Sequence, residues 1–379
     1  MLKPQTGGFE HVVRVRQAKG FLATQKFFSL PYHLYRNNPH WVPCLWMEDR
    51  SILNRKNPFM ERVELQPFLA YRGLKSTGRI AAVIHRGYNR FHRDRTGFFS
   101  FFESIPDDEA FGFLLDAAAG WLKKQGRESM RGPVHFFSPF NCGLLSEGFD
   151  AIPSIGLPYH PPSYSARLEH FGFRSQRELY VYQSKTGLLD PEVRSKIERL
   201  EIPRGVQIRP LSTASFRDEV LKIHQVYQKA WIEKWGYVPV SPQEILWIAD
   251  RIRPYLDPNL VWVAEFRNEM IGFAMALPDF HPILQKPVLR SLSPALVSRL
   301  VRLGDLRCAR VVAVGVLPER QRAGVGSRLV YKVWGEALQS GYQTLAWGGV
   351  PQGEDHLHRF LHRWGATIDQ TYRIYERSL

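Results

Sequence analysis

Val314-Gly-Val-Leu-Pro-Glu-Arg-Gln-Arg-Ala-Gly-Val-Gly-Ser-Arg328 is the stretch on which the reading of this chain turns. An apolar strand runs into Leu317-Pro318, and Gly324 and Gly326 then open a helix whose apolar face is Val325, Leu329, Val330, Val333, Trp334, Ala337 and Leu338. Glycines remove side chains, so main-chain N–H groups can converge, and the positive end of the helix dipole points at the same spot. That geometry suits a phosphate. Gln321, Arg322 and Arg328 add donors and charge at the rim, as a pyrophosphate would require. A bare Gly-x-Gly is weak evidence, because such turns also arise for structural reasons alone. Two other phosphate loops do not fit: the dinucleotide fingerprint needs a third glycine near the first strand of its unit, and the P-loop needs Gly-Lys-Ser/Thr.

Working outward, the second half reads as an α/β domain. Val206–Arg209 is a strand, Thr213 caps a helix running towards Trp235, and Pro242–Tyr255 is a second helix. Leu260–Phe266 and Met270–Leu277 form a hairpin about Arg267-Asn268-Glu269. A Pro-rich insert from Pro278 to Pro294 leads to the strand Ala309–Val316 and the glycine loop. The helix after the loop ends at Gly341, and a strand at Thr344–Trp347, a helix near Asp355–Trp364, a strand near Ala366 and a last strand at Tyr372–Glu376 follow.

The first half repeats this order. Pro67–Tyr71 and Arg79–His85 make a hairpin about Gly73, Gly97–Glu103 is an aromatic strand, Asp107–Lys124 a helix, and Met130–Phe137 another strand. A helix around Ser163–Phe171 leads through Gly172-Phe173 to the strand Glu178–Gln183. Leu168-Glu-His-Phe-Gly-Phe173 lines up with Leu361-His-Arg-Trp-Gly-Ala366, so we read a diverged duplication joined by the polar run Ser184–Arg204. At the place of the glycine loop the first half has Ile105-Pro-Asp-Asp-Glu-Ala-Phe-Gly112. Three carboxylates there suit a helix dipole but repel a pyrophosphate, which leaves one cofactor site per chain.

Composition agrees with two folded domains: the chain has 379 residues, 44% hydrophobic and 23% charged. The net charge of +15 attracts anions, yet its Lys and Arg are scattered rather than gathered into a nucleic-acid module. Cys44, Cys142 and Cys308 show neither metal spacing nor a disulfide framework. The apolar stretch Phe21–Leu30 is broken by Thr24, Gln25 and Lys26, and no segment approaches the roughly 20 apolar residues of a membrane span. A cytoplasmic protein is expected, with peripheral contact at the anionic inner membrane face open to it.

Residues 314 to 328 resemble the cofactor motif of the GNAT acyltransferase superfamily. The resemblance implies that Gln321, Arg322, Ala323, Gly324, Val325, Gly326 and Ser327 hold the pyrophosphate of coenzyme A, and that Val314, Gly315 and Val316 meet pantetheine. It also extends along the chain. Asn38-Pro-His-Trp-Val-Pro43, Lys56-Asn-Pro-Phe59, Gly78-Arg-Ile-Ala-Ala82, Phe98-Phe-Ser-Phe-Phe-Glu103, Arg131-Gly-Pro133 and Tyr372-Arg-Ile-Tyr-Glu376 resemble a two-domain bacterial branch with ceramide-synthase-like N-acyltransferases. The expected fold is therefore tandem GNAT-like α/β domains, each a mixed, mostly antiparallel sheet flanked by helices. Residues 1–190 form the degenerate acceptor-side copy and 200–379 the copy that binds acyl-CoA. The implied activity moves an acyl group from acetyl-CoA or a longer acyl-CoA to a primary amine such as a lipid amine. Leu361 stands where many members carry a Tyr that protonates the departing thiolate, and Thr344-Leu-Ala-Trp347 replaces the branch's Glu-Leu-Ser-Trp.

Direct transfer from thioester to amine needs a proton route but no metal and no covalent enzyme intermediate. Four side chains are nominated for it: Glu103, His358, Tyr372 and Tyr375. Each has a structural alternative, namely an ion pair for Glu103, a solvated helix face for His358, and core packing for the two tyrosines. His358 and His362 have zinc-ligand spacing, but the rest of a zinc motif is missing. Asp279 and His281, beside the expected acceptor channel, read as loop residues. A protein that binds CoA as a sensor or scaffold without turnover is the rival reading.

Overall fold

Short alternating apolar runs punctuated by Gly and Asn give hairpins here, and longer runs at helical spacing give the helices between them. The computed structural model describes residues 12–43, 50–54, 56–135, 142–286, 296 and 300–379. Cys44 and part of the Pro-rich insert lie outside the described residues, as does the end of the Met130–Phe137 segment.

The first half runs β1 (Val13–Gln17), α1 (Phe21–Leu34), β2 (Val63–Arg72), β3 (Lys75–His85), α2 (Arg86–His92), β4 (Thr96–Ser104), α3 (Asp108–Lys124), β5 (Ser129–Gly132), β6 (Leu144–Glu147), α4 (Ser163–His170) and β7 (Arg174–Lys185). The second half runs α5 (Pro191–Glu198), β8 (Val206–Pro210), α6 (Phe216–Trp231), α7 (Pro242–Ile252), β9 (Val261–Phe266), β10 (Glu269–Pro278) and α8 (His281–Leu284), then β11 (Cys308–Val316), α9 (Val325–Gln339), β12 (Thr344–Pro351), α10 (Asp355–Arg363) and β13 (Thr367–Ser378).

Local chemistry accounts for these boundaries. Arg267 and Asn268 both have positive φ (52° and 66°), the left-handed pair that a two-residue hairpin turn requires. Ser241 and Glu244 form a reciprocal capping box at the start of α7, with Pro242 just inside the helix. Three readings need correction. The cap of α6 falls at Ser215 rather than Thr213. The linker carries a helix, α5, because Asp190 caps it and Pro191 suits its first turn. The two short final strands are one, β13, which accommodates an irregularity between Ile368 and Gln370 instead of breaking there.

Among the described residues, thirteen strands join in one sheet ordered β1-β2-β3-β4-β5-β13-β7-β12-β11-β10-β9-β8, with β6 on β13. Each half has thus given its last strand to the other. β13 lies beside β5 of the first half, with Tyr375 opposite Gly132, and β7 lies beside β12 of the second, with Tyr182 opposite Trp347. One apolar core continues through both halves, from Phe27 and Val63 to Ile248 and Val333. The Arg62–Glu244 ion pair and the His92 ring, 2.8 Å from the Tyr237 carbonyl oxygen, tie the halves together elsewhere.

Candidate functional site

The parallel pairing of β11 with β12 runs only from Cys308↔Thr344 to Val311↔Trp347. Beyond it β11 stays with β10 as far as Gly272↔Val316, whereas β12 follows β7 to Pro351↔Leu179. The two strands therefore part, leaving a V between Val312–Val316 and Gly348–Val350. A shift of register at Met275/Ala276 makes Val312 an extra residue at the throat of that V. Val314, Gly315 and Val316 line one arm.

Above the V, the chain passes Leu317-Pro318 and reverses at Arg322 (φ 63°) and Gly324 (φ 77°) before α9 begins. Gly324 is the N-cap. It provides no side-chain cap, and the first turn of α9 contains no acidic residue. The first amides of a helix have no partner within it, so this end offers N–H groups and a positive dipole to an anion. The rim is arranged differently from expectation: Gln321 Nε2 donates to the Val316 carbonyl at 3.1 Å, and Arg328 Nη1 donates to the Ile197 and Glu198 carbonyls at 3.1 and 3.4 Å. Arg328 thus caps α5 instead of facing the loop, because α5 presents unsatisfied carbonyls beside it.

The corresponding turn of the first half is closed. Asp107 accepts from the Glu109 and Ala110 amides at 3.0 and 3.3 Å, occupying the donors an anion would use. Arg72 lies 2.5 Å from Asp107 and 3.0 Å from Glu109, so its charge is neutralised too.

On the face of β11 that Gly315 leaves bare, the lining is aromatic. A Cβ on Gly315 would stand 2.5 Å from the Trp231 ring and 2.8 Å from Phe273. These rings stack at 5.9 Å, and Tyr227 lies against Trp231 at 4.9 Å. The floor of the V is Arg310, fully buried, whose guanidinium occupies the space that a side chain on Gly348 would need. Arg310 Nη1 donates to the Ile155 carbonyl at 2.6 Å. Asp279 and His281 are buried rather than in an open loop: the His281 amide donates to Asp279 Oδ1 at 2.9 Å, and His281 Nδ1 is 2.7 Å from the Pro153 carbonyl. Burial raises the Asp279 carboxyl and lowers the His281 imidazole, favouring the neutral form of each.

The four nominated side chains do not meet. Tyr372 and Tyr375 are fully buried in different apolar clusters, and burial holds both phenols protonated. Tyr372 donates to the Pro158 carbonyl at 3.1 Å, and Tyr375 approaches Glu169 at 3.4 Å. They cannot both face one thioester, since an odd spacing along a strand puts side chains on opposite faces. Glu103 accepts a hydrogen bond from Tyr35 and lies 4.0 Å from Arg79. It belongs to the first half's own β4/β5 parting, four strand spacings or about 19 Å from the β11/β12 throat. His358 is the nominated residue that contacts the row ending at the throat. It sits 2.7 Å from the Tyr182 hydroxyl and 3.1 Å from the Pro351 carbonyl. Tyr182 lies in one cross-strand row with Trp347 and Val311, the last pair before the strands part. Tyr182, Trp231 and Arg310 carry no local sequence signal: strand pairing places Tyr182 and Arg310, and the packing of α6 on β11 places Trp231. Among the described residues no group of three or more His, Cys, Asp or Glu could hold a metal ion, and no helix is long and apolar enough to cross a membrane.

Comparison with known proteins supplies the wider frame. The acetyltransferase (GNAT) family profile matches residues 220–366. The chain is 28% identical to a bacterial ceramide synthase from Caulobacter vibrioides over 364 residues, 94% of each protein. It is 27% identical to protein YghO of Escherichia coli, covering 93% of this chain and 92% of that one. A tandem GNAT protein from the clavulanic acid biosynthesis pathway shares the fold with a TM-score of 0.59 at 10% identity, over 97% of this chain and 98% of that one.

Proposed function

Because this chain belongs to the GNAT acyltransferase superfamily, in its two-domain form, we propose that it moves an acyl group from acyl-CoA to the primary amine of a long-chain acceptor. The observation that carries the reading is the uncapped, glycine-opened start of α9 above the parting of β11 and β12. In this reading the main chain from Gln321 to Ser327 grips the CoA pyrophosphate, and Val314–Val316 pair with pantetheine, so that the thioester descends to the throat. The amine nitrogen bonds to the acyl carbon, the carbon–sulfur bond breaks, and the proton lost by nitrogen reaches the sulfur.

We assign that proton's route to Tyr182 and His358. Tyr182 donates to His358 Nδ1 if His358 Nε2–H donates to Pro351, and burial raises the Tyr182 phenol, so it holds its proton until a thiolate forms. Tyr182 then supplies what Leu361, buried in the core, cannot. The Trp231–Phe273 wall beside Gly315 favours an apolar substrate over a small polar one. Similarity to a bacterial ceramide synthase supports a lipid amine as acceptor. The basic chain, at +15, favours delivery from an anionic membrane surface, and the protein would act on the cytoplasmic side.

The test is thermal shift with acetyl-CoA and palmitoyl-CoA, followed by thiol release against amines from ethanolamine to sphinganine. Stabilisation by palmitoyl-CoA and release dependent on a long-chain amine are expected. Stabilisation without release for any amine would favour the sensor reading, and no stabilisation by either thioester would remove the proposal.

A further inference from the structure

The first half contains a second cavity, which the proton route proposed above does not involve. Counting back from Pro106 and from Pro318, Glu103 stands at the place of Gly315. Its cross-strand partner Arg79 stands at the place of Phe273. Tyr35, just past the end of α1, meets Glu103 much as Trp231, at the end of α6, meets Gly315. The duplicated slot has therefore exchanged an apolar lining for a polar one. Phe101 in β4 carries a left-handed φ of 53°, at an irregularity in the β3–β4 register that bends the strand beside this slot.

A cavity occupies the slot, walled by Trp41, Phe101, Glu103, His135, Tyr159 and His160. Burial pushes both histidines down to about 3, so they are neutral. His160 Nδ1 accepts from the Leu145 amide at 3.2 Å, which places its proton on Nε2 and makes that nitrogen a donor. His135 Nδ1 is shut off from solvent and has no hydrogen-bond partner among the described residues. Glu103 is an acceptor, and Arg79 at 4.0 Å balances its charge.

The group that fits a charge-balanced cavity offering both a donor and an acceptor is one that can do both. An ammonium only donates and would sit near Arg79, whereas a carboxylate only accepts and would face Glu103. A hydroxyl donates to one side and accepts from the other, and Trp41, Phe101 and Tyr159 offer apolar surface to the carbon attached to it. We propose that the first half binds the hydroxyl end of a largely apolar alcohol, at a site separate from acyl-CoA. The two partings lie about 19 Å apart along the sheet, so a small alcohol in one leaves room for CoA in the other.

Saturation-transfer NMR on the full chain, with 1-hexanol, hexylammonium and hexanoate as probes and with and without CoA, tests this without turnover. A failure here is thereby distinguishable from a failure of the acyl-transfer reading. Hexanol should bind roughly tenfold tighter than either charged probe, the effect of one mismatched buried polar contact, and CoA should not displace it. In Glu103→Gln, whose amide adds a donor, hexanoate should gain on hexanol. His135→Phe, at a less buried position, should weaken hexanol binding. Equal or undetectable binding of the three probes by the wild-type chain, hexylammonium binding tightest, or displacement of hexanol by CoA would each overturn the proposal.

Discussion

At Gly326, binding and stability should part company. A side chain there would meet only Val316 Cγ2, at an ordinary 3.5 Å. Gly326→Asp should therefore fold, and its carboxylate in the first turn of α9 should stabilise the helix by about 0.3–1 kcal/mol. The same charge opposes the pyrophosphate, so affinity for CoA should fall by roughly tenfold or more, each tenfold being about 1.4 kcal/mol. Thermal denaturation without ligand and calorimetric titration with CoA separate the two effects. Gly324 would make a poorer test, because its φ of 77° and the Leu200 side chain 2.6 Å from a built Cβ would damage the turn itself. Tyr182→Phe and His358→Gln should each lower kcat by about 10²-fold, the usual scale of a positioned proton donor or acceptor. CoA affinity should stay unchanged; an equal loss of CoA binding in Tyr182→Phe would reduce the pair to packing. Acid should also unfold the protein through particular side chains. His85, His135 and His160 are each lowered by burial from 6.5 to about 3. Between those values the unfolded chain binds more protons than the folded one, so their contribution is complete above pH 6.5 and is lost as pH falls towards 3. Tm should drop steadily across that window, and a flat Tm from pH 6.5 to 4 would contradict it.

For the elements, α3 and α9 are the same piece of architecture with opposite N-termini, one closed by Asp107 and one left open at Gly324. Asp107→Ala should destabilise the chain by about 1 kcal/mol through loss of the cap. It should create no second CoA site, because Glu103 still fills the strand position that Gly315 leaves bare; two CoA equivalents in titration would refute this. That contrast was legible in the sequence, since glycines at a strand-to-helix turn and carboxylates at its counterpart have local consequences. The hairpins and most helix limits were legible for the same reason. The exchanged strands were not, because alternation along Arg174–Lys185 and Thr367–Ser378 marks them as strands without saying which neighbour each will take. The proposed proton route was lost with them. Tyr182 belongs to the first half by chain order and to the second half's throat by pairing, so no local pattern could connect it with His358. Arg328 misled for a related reason: its nearest unsatisfied acceptors come from α5, a helix in what read as a plain linker.

Over the whole molecule, the sheet and the core continue from one half into the other. Calorimetry should accordingly show one cooperative unfolding transition rather than two, with its calorimetric and van't Hoff enthalpies equal. Residues 200–379 expressed alone lack β7, which leaves β12 with a bare edge and α10 without Tyr182. That fragment should neither stay soluble nor bind CoA, and co-expression with residues 1–190 should restore both. A soluble, CoA-binding C-terminal fragment would show that the exchange is dispensable. Once two copies of a gene have traded their closing strands, deletion of either leaves the survivor unable to complete its own sheet. The half whose helix start is closed by Asp107 is thereby held in place by its neighbour's need for it, and is free to drift towards new binding chemistry while it cannot be discarded.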